Sequence, residues 1–131
     1  MRFLRTALLA ALALALVVPA AAQASQYHGR AAGNNPNGNG LIGKHRFVTG
    51  DDYAVQFRDG GAAGTRYRVC AWMRGHRKGC QSARTGRRNH WNTVSSSAIW
   101  NPDRLGRITY RWYVDGKRVA SWSVNFEMES E

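Results

Sequence analysis

The stretch from Cys70 to Cys80, CAWMRGHRKGC, holds both cysteines of the chain and, between them, Arg74, His76, Arg77 and Lys78. Thiolates and imidazoles can ligate zinc, an imidazole can move a proton at neutral pH, and guanidinium groups can grip phosphate. Each chemistry makes its own demand on spacing. A zinc site would draw on Cys70, His76, Cys80 and His90, whose separations match none of the common finger patterns, so no metal is expected. Acid–base cleavage of a phosphodiester would need His76 and His90 as the pair, with arginines stabilising the anion, which is the reading of a small secreted ribonuclease. A serine hydrolase would carry a G-x-S-x-G elbow, and none occurs. The run VSSSA, Val94 to Ala98, reads more simply as a polar strand. No catalytic set stands in register, and the chain is expected to act without catalysis and without a cofactor.

The arginines are the larger signal. The chain carries 19 Lys and Arg against 8 Asp and Glu, a formal net charge of +11. Between Asp59 and Asp103 no carboxylate intervenes, while Arg66, Arg68, Arg74, Arg77, Lys78, Arg84, Arg87 and Arg88 all fall in that interval. A field of one sign attracts polyanions, here a nucleic acid or a cell-envelope polymer. The candidate contacts are Arg74, Arg77, Lys78, Arg84, Arg87 and Arg88. Trp72 shares a strand face with Arg66, Arg68 and Cys70, which makes it the candidate ligand aromatic.

The compartment decides what the cysteines do. Arg2 and Arg5 precede an apolar run from Ala7 to Val18, then Pro19 and a small-residue box at Ala22-Gln23-Ala24. This is the pattern of a signal peptide over residues 1–24, cleaved after Ala24. The run falls short of the roughly 20 apolar residues that span a bilayer, so the mature form is expected to have no membrane span. Losing Arg2 and Arg5 leaves 17 cations against 8 anions. In the oxidising space outside the cell, two thiols this close in the chain pair as a disulfide rather than bind metal. A secreted, extracellular monomer is expected.

A disulfide needs strands to hold it. From Ser25 to Arg46 the text is SQYHGRAAGNNPNGNGLIGKHR, dominated by Gly and Asn and poor in large aliphatic residues. It reads as a flexible leader over residues 25–46 that touches the domain only near Leu41-Ile42. The domain then occupies residues 47–131, with its strands between Phe47 and Phe126. Its period is two. Tyr53, Val55 and Phe57 form one apolar set, and Tyr67, Val69, Ala71 and Met73 a second. Ile108, Tyr110, Trp112 and Val114 form a third, and Ala120, Trp122, Val124 and Phe126 a fourth. The last two flank Asp115-Gly116, a type I′ turn whose register would place Trp112 opposite Val119. Burial instead requires Trp112 opposite Ala120 and Tyr110 opposite Trp122, so a bulge near Lys117-Arg118 is predicted.

The connecting segments carry weaker signals. Thr93 to Ile99 suits an edge strand, and WNPDRLG reads as a turn with Gly106 at positive φ. With Cys70 opposite Cys80, a three- to five-residue loop centred on Gly75 is predicted. Six or seven short strands without helical period after the signal indicate an all-β fold, a small antiparallel immunoglobulin-like sandwich.

The segment AGTRYRVCAWMRGHRKGC, Ala63 to Cys80, resembles the neocarzinostatin-type apoproteins. There a strand of the A-G-T-x-Y-x-V type leads into C-A-W, and a second cysteine follows after the same gap. That family consists of small secreted actinobacterial proteins with an immunoglobulin-like sandwich whose cleft holds an enediyne chromophore. The resemblance covers these 18 residues. It implies a Cys70–Cys80 disulfide, a place for Trp72 in the cleft, and the function of a small-molecule carrier. The family's second cysteine pair has no counterpart in this chain. RWYVDGKRV, Arg111 to Val119, is similar to hairpins of jelly-roll glycosidases and of immunoglobulin-like modules. A glycosidase needs paired carboxylates on one strand, and E-x-D-x-x-E does not occur.

The residues therefore describe a secreted, non-catalytic binding module with a basic surface that contacts an anionic polymer. A small-molecule carrier and a small secreted ribonuclease are the alternatives.

Overall fold

The computed structural model describes residues 26–129. The elements in chain order are β1 (Tyr27–Asn34), β2 (Leu41–Gly43), β3 (Arg46–Val48), β4 (Ala54–Asp59), β5 (Arg66–Met73), β6 (His76–Arg84), β7 (Asn92–Ser95), α1 (Ser96–Ile99), β8 (Gly106–Val114) and β9 (Lys117–Glu127). They form two sheets, the first in the order β2-β1-β4-β7 and the second in the order β3-β9-β8-β5-β6. The short β3 runs parallel to β9, and the other pairings are antiparallel. The all-β expectation is met by a two-sheet sandwich with more strands than the six or seven expected. The expected signal segment lies outside the described residues.

Each of the four apolar sets points into the space between the sheets. Val55 and Phe57 on β4, Tyr67, Val69, Ala71 and Met73 on β5, Ile108, Tyr110 and Trp112 on β8, and Val124 and Phe126 on β9 are buried together. Two tyrosines tie the layers: the hydroxyl of Tyr53, just before β4, hydrogen-bonds that of Tyr110 on β8. Burial pushes the Tyr53 hydroxyl up to about 12.

The flexible leader is the main correction. Its residues Tyr27–Asn34 form β1, an interior strand of the first sheet, and Ala31 and Ala32 are buried. The segment has few large side chains because it lies directly against bulky core side chains. A Cβ on Gly29 would overlap the fully buried Trp112 indole, and one on Gly33 would press on Lys44 and Phe47. Smallness here serves close approach of two layers rather than chain freedom. Leu41–Gly43 pairs with β1 as β2, where contact near Leu41-Ile42 was expected.

Both hairpins use one device. Between β8 and β9, Asp115 (φ 50°) and Gly116 (φ 75°) make the two-residue turn, with Val114 facing Lys117 and Tyr113 facing Arg118. Trp112 then faces Ala120 and Tyr110 faces Trp122, so Val119 is the inserted residue, one position beyond the predicted site. Between β5 and β6 the longer loop predicted is replaced by another two-residue turn, Arg74 (φ 51°) and Gly75 (φ 77°), with Met73 facing His76. Trp72 faces Arg77 and Ala71 faces Gly79, leaving Lys78 as the inserted residue that lets Cys70 meet Cys80.

The strand predicted over Thr93–Ile99 stops at Ser95, and Ser96–Ile99 is a helical turn. The hydroxyls of Ser95, Ser96 and Ser97 all donate to the Asp52 carboxylate, which stops the strand from continuing. The turn drops Ile99 into the core and sets its carbonyl on Gly79, where no Cβ fits. Gly106 has positive φ, as the turn reading required.

Gly29→Ala is expected to lower stability by about 1–3 kcal/mol, the usual cost of overpacking, because the Trp112 indole cannot retreat. Urea unfolding followed by tryptophan fluorescence measures it, with Gly38→Ala as the neutral control in an open loop. A neutral Gly29→Ala would contradict the packing described for β1.

Candidate functional site

Alternation on β5 sends Arg66, Arg68, Cys70 and Trp72 to the outer face of the second sheet. Arg68 lies between Tyr113 of β8 and Ser82 of β6, and Arg66 faces Arg84. These residues, with Arg77 and Asp115, line a groove of about 850 Å³ that also reaches Cys70. Cys70 and Cys80 are joined, with their Cα atoms 4.1 Å apart on directly opposed positions. Closing so short a ring contributes about 2–3 kcal/mol on the loop-entropy account, and it fixes the register of the arginines on either side.

The groove carries four guanidinium groups and one carboxylate. Among the described residues the only ion pair is Arg46–Glu127, at 3.8 Å on the surface and away from the groove. Arg66 directly opposite Arg84 is a like-charge pair, which works against the sheet that holds it. The face keeps its cations adjacent and, among the described residues, without an ion pair.

The predicted contacts divide. Arg77 and Arg84 line the groove, joined by Arg66 and Arg68. Trp72 and Arg74 belong to a smaller hollow of about 280 Å³, with Leu105, Arg107, Thr109 and Arg111. There the Arg111 guanidinium sits 4.7 Å from the centre of the Trp72 ring, and both the indole Nε1 and Arg111 Nε are buried without a partner among the described residues. Trp72 is thus half-covered and does not line the groove. Lys78 extends over Trp100 at 6.0 Å, and Arg87 and Arg88 are exposed in the loop after β6, outside both hollows. Arg107 and Arg111 line that hollow and were not among the expected contacts. Their signal is the alternation Arg107, Thr109, Arg111, Tyr113 on the side of β8 opposite Trp112.

His76 opens β6 and His90 follows its far end, so at about 3.3 Å per residue the strand separates them by roughly 25 Å. The pair required for acid–base cleavage is not brought together. The three serines of VSSSA serve the Asp52 carboxylate, and no group of His, Cys, Asp and Glu able to hold a metal occurs among the described residues. No helix among them is long and apolar enough to cross a membrane. Neither a protein-family model nor a curated protein matches the chain.

One buried acid organises the end of the groove. Asp59 closes β4 and is 2 % exposed. Burial alone would raise its carboxyl, but hydrogen bonds from the Thr65 hydroxyl, the Gly61 N–H, the Gln26 amide and the Ala62 N–H hold it below the usual carboxylate range. Its own carbonyl accepts from Asn89, and Thr65 N–H donates to Thr85, so the loops before Arg66 and after Arg84 are tied together here.

Because the folded carboxyl titrates below its unfolded value, its contribution is complete above about pH 4 and is lost as pH falls through the folded value. Asp59→Asn is expected to cost about 2 kcal/mol at neutral pH. It should also flatten the acid limb of a stability–pH profile measured by urea unfolding. An unchanged acid limb would remove Asp59 as its source.

Proposed function

We propose that the chain is exported, loses residues 1–24, and works outside the cell as a non-catalytic, immunoglobulin-like module that holds an anionic polymer on the outer face of its second sheet. The strand order supports the fold type. Taking β1, β4 and β7 as strands A, B and E, and β5, β6, β8 and β9 as C, C′, F and G, the two sheets follow the A-B-E and C′-C-F-G pairings of that architecture. The short β3 adds to strand G in parallel. The buried tryptophan sits on strand F as Trp112 instead of on strand C, and the disulfide joins C to C′ within one sheet. Export is supported by the signal pattern and is compatible with the disulfide.

The observation that carries the binding reading is the groove in which Arg66, Arg68, Arg77 and Arg84 converge without an ion pair among the described residues. Guanidinium groups on a rigid sheet engage phosphate, sulfate or carboxylate groups with little ordering cost. The polymer class is a phosphate- or sulfate-bearing chain, a nucleic acid or a cell-envelope polymer.

Binding of a single-stranded oligonucleotide measured at several salt concentrations tests this. The Arg66→Ser, Arg68→Ser, Arg84→Ser triple variant should lose affinity and reduce the slope of log K against log salt by about 2, at roughly 0.7 per phosphate contact. Arg87→Ser with Arg88→Ser should change the slope less, since those side chains lie outside the groove. Equal loss in both variants would mean diffuse attraction and would sink the groove as a site.

A carrier is the second reading, favoured by a groove volume within the 300–1,000 Å³ range of small-molecule sites. Binding of an uncharged aromatic dye that persists in about 1 M salt, where charge attraction is screened, would establish it in place of the polymer.

A further inference from the structure

The outer face of the first sheet carries a second cationic arrangement, which the groove does not explain. β1 presents His28 and Arg30 there, β4 presents Gln56 and Arg58, and β7 presents Thr93. Across the strands Arg30 faces Gln56, His28 faces Arg58 and Gln56 faces Thr93. Arg30 Nε donates to Gln56 Oε1 at 2.7 Å, and Gln56 Nε2 donates to Thr93 Oγ1 at 3.0 Å, a ladder that fixes Arg30 across the sheet. Trp91 caps this face: the Arg30 and Arg58 guanidinium carbons lie 4.1 Å and 4.6 Å from the centre of its ring.

Two guanidinium groups gathered on one indole repel each other, and among the described residues no carboxylate forms an ion pair with either. The stack on Trp91 offsets part of that repulsion but leaves both charges in place. Burial, and after it the charge of Arg58, make the Arg30 guanidinium easier to deprotonate than usual. Arg58 Nε is in addition buried with no acceptor among the described residues. A buried guanidinium donor without a partner is costly, and an oxyanion held by the two guanidinium groups would cancel the repulsion between them.

We propose that Arg30, Arg58 and Trp91 form a second oxyanion site, for a phosphate or sulfate group of an anionic polymer, on the face of the sandwich opposite the arginine groove. With one site on each outer face, a single straight polymer cannot occupy both. The domain therefore joins two anionic chains, a cross-linking role that rests on the groove reading, whereas the oxyanion site itself does not.

Nuclear magnetic resonance of the arginine Nε–H groups tests the site on the unaltered protein, with inorganic phosphate as probe and sodium chloride at matched ionic strength as control. The resonance of Arg58, assigned by its loss in Arg58→Lys, should shift saturably with phosphate and not with chloride, and should do so equally in the groove triple variant. Shifts that follow ionic strength alone would make the arginine pair a solvated surface feature and overturn the site. Light scattering with long-chain heparin tests the bridging. The native protein should turn the mixture turbid near charge equivalence and clear it in heparin excess. Arg30→Gln with Arg58→Gln should stay clear while retaining at least half the heparin affinity. Turbidity equal to the native protein's in that variant would overturn bridging. Heparin binding undiminished in the groove triple variant would instead sink the groove reading and leave the phosphate titration to decide this site.

Discussion

The Trp112 indole lies wholly inside the sandwich, and its fit against Gly29 sets the distance between the layers. An indole buries some 150–250 Å², so the strand lying over it must be nearly bare of side chain on its inner face. β1 meets that demand with Gly29, Ala31 and Gly33 at successive inward positions. Once those positions point inward, alternation obliges His28 and Arg30 to point outward. One volume constraint in the core thus decides both that the chain before Phe47 is structured and that it contributes a cation to the outer surface.

On the second sheet the sidedness of the cations depends on two bulges. Residues facing each other across a ladder share a face, so Arg77 is outward because Trp72 is, and Cys80 is outward because Cys70 is. Positions 77 and 80 are an odd number apart and would lie on opposite faces of a regular strand. The insertion at Lys78 removes the conflict. Val119 does the same between Arg118, which faces Tyr113, and Ser121, which faces Arg111. The disulfide then makes the first of these registers covalent, so the groove cannot slip by one residue without breaking it.

The four apolar sets, the Asp115-Gly116 turn, the need for a bulge beside it and the opposed cysteines were all legible, because each is a local pattern with one burial solution. β1 was not. Its residues YHGRAAGN carry little apolar surface, and their fitness as an interior strand exists only relative to Trp112, far away in the chain. The helical turn at Ser96–Ile99 was hidden for the same reason, since β-favourable text is overridden by an Asp52 carboxylate that gathers three hydroxyls. The groove was half legible. Alternation put Arg66, Arg68 and Trp72 on one face, but it could not say that Trp72 and Arg74 belong to a separate hollow shared with Arg107 and Arg111. Arg87 and Arg88 stood out in the charge run, and a charge run contains no information about concavity.

How the acids are engaged explains why the excess of arginine is displayed and not paired away. Asp59 is buried among backbone and side-chain donors at the β4–β5 corner, and Asp52 is held by serine hydroxyls. Glu127 approaches Arg46 at the edge of the second sheet, and Asp115 occupies a turn that needs positive φ. These acids serve corners and turns, where short side chains accepting local hydrogen bonds stabilise backbone that has left the ladder. The strand interiors, which build both outer faces, are left largely to arginine, serine, threonine and glutamine, with Trp72, Tyr113 and His28 among them. Net charge by itself is diffuse, whereas here many of the cations are fixed on two rigid sheets and these acids sit at corners, turns and edges.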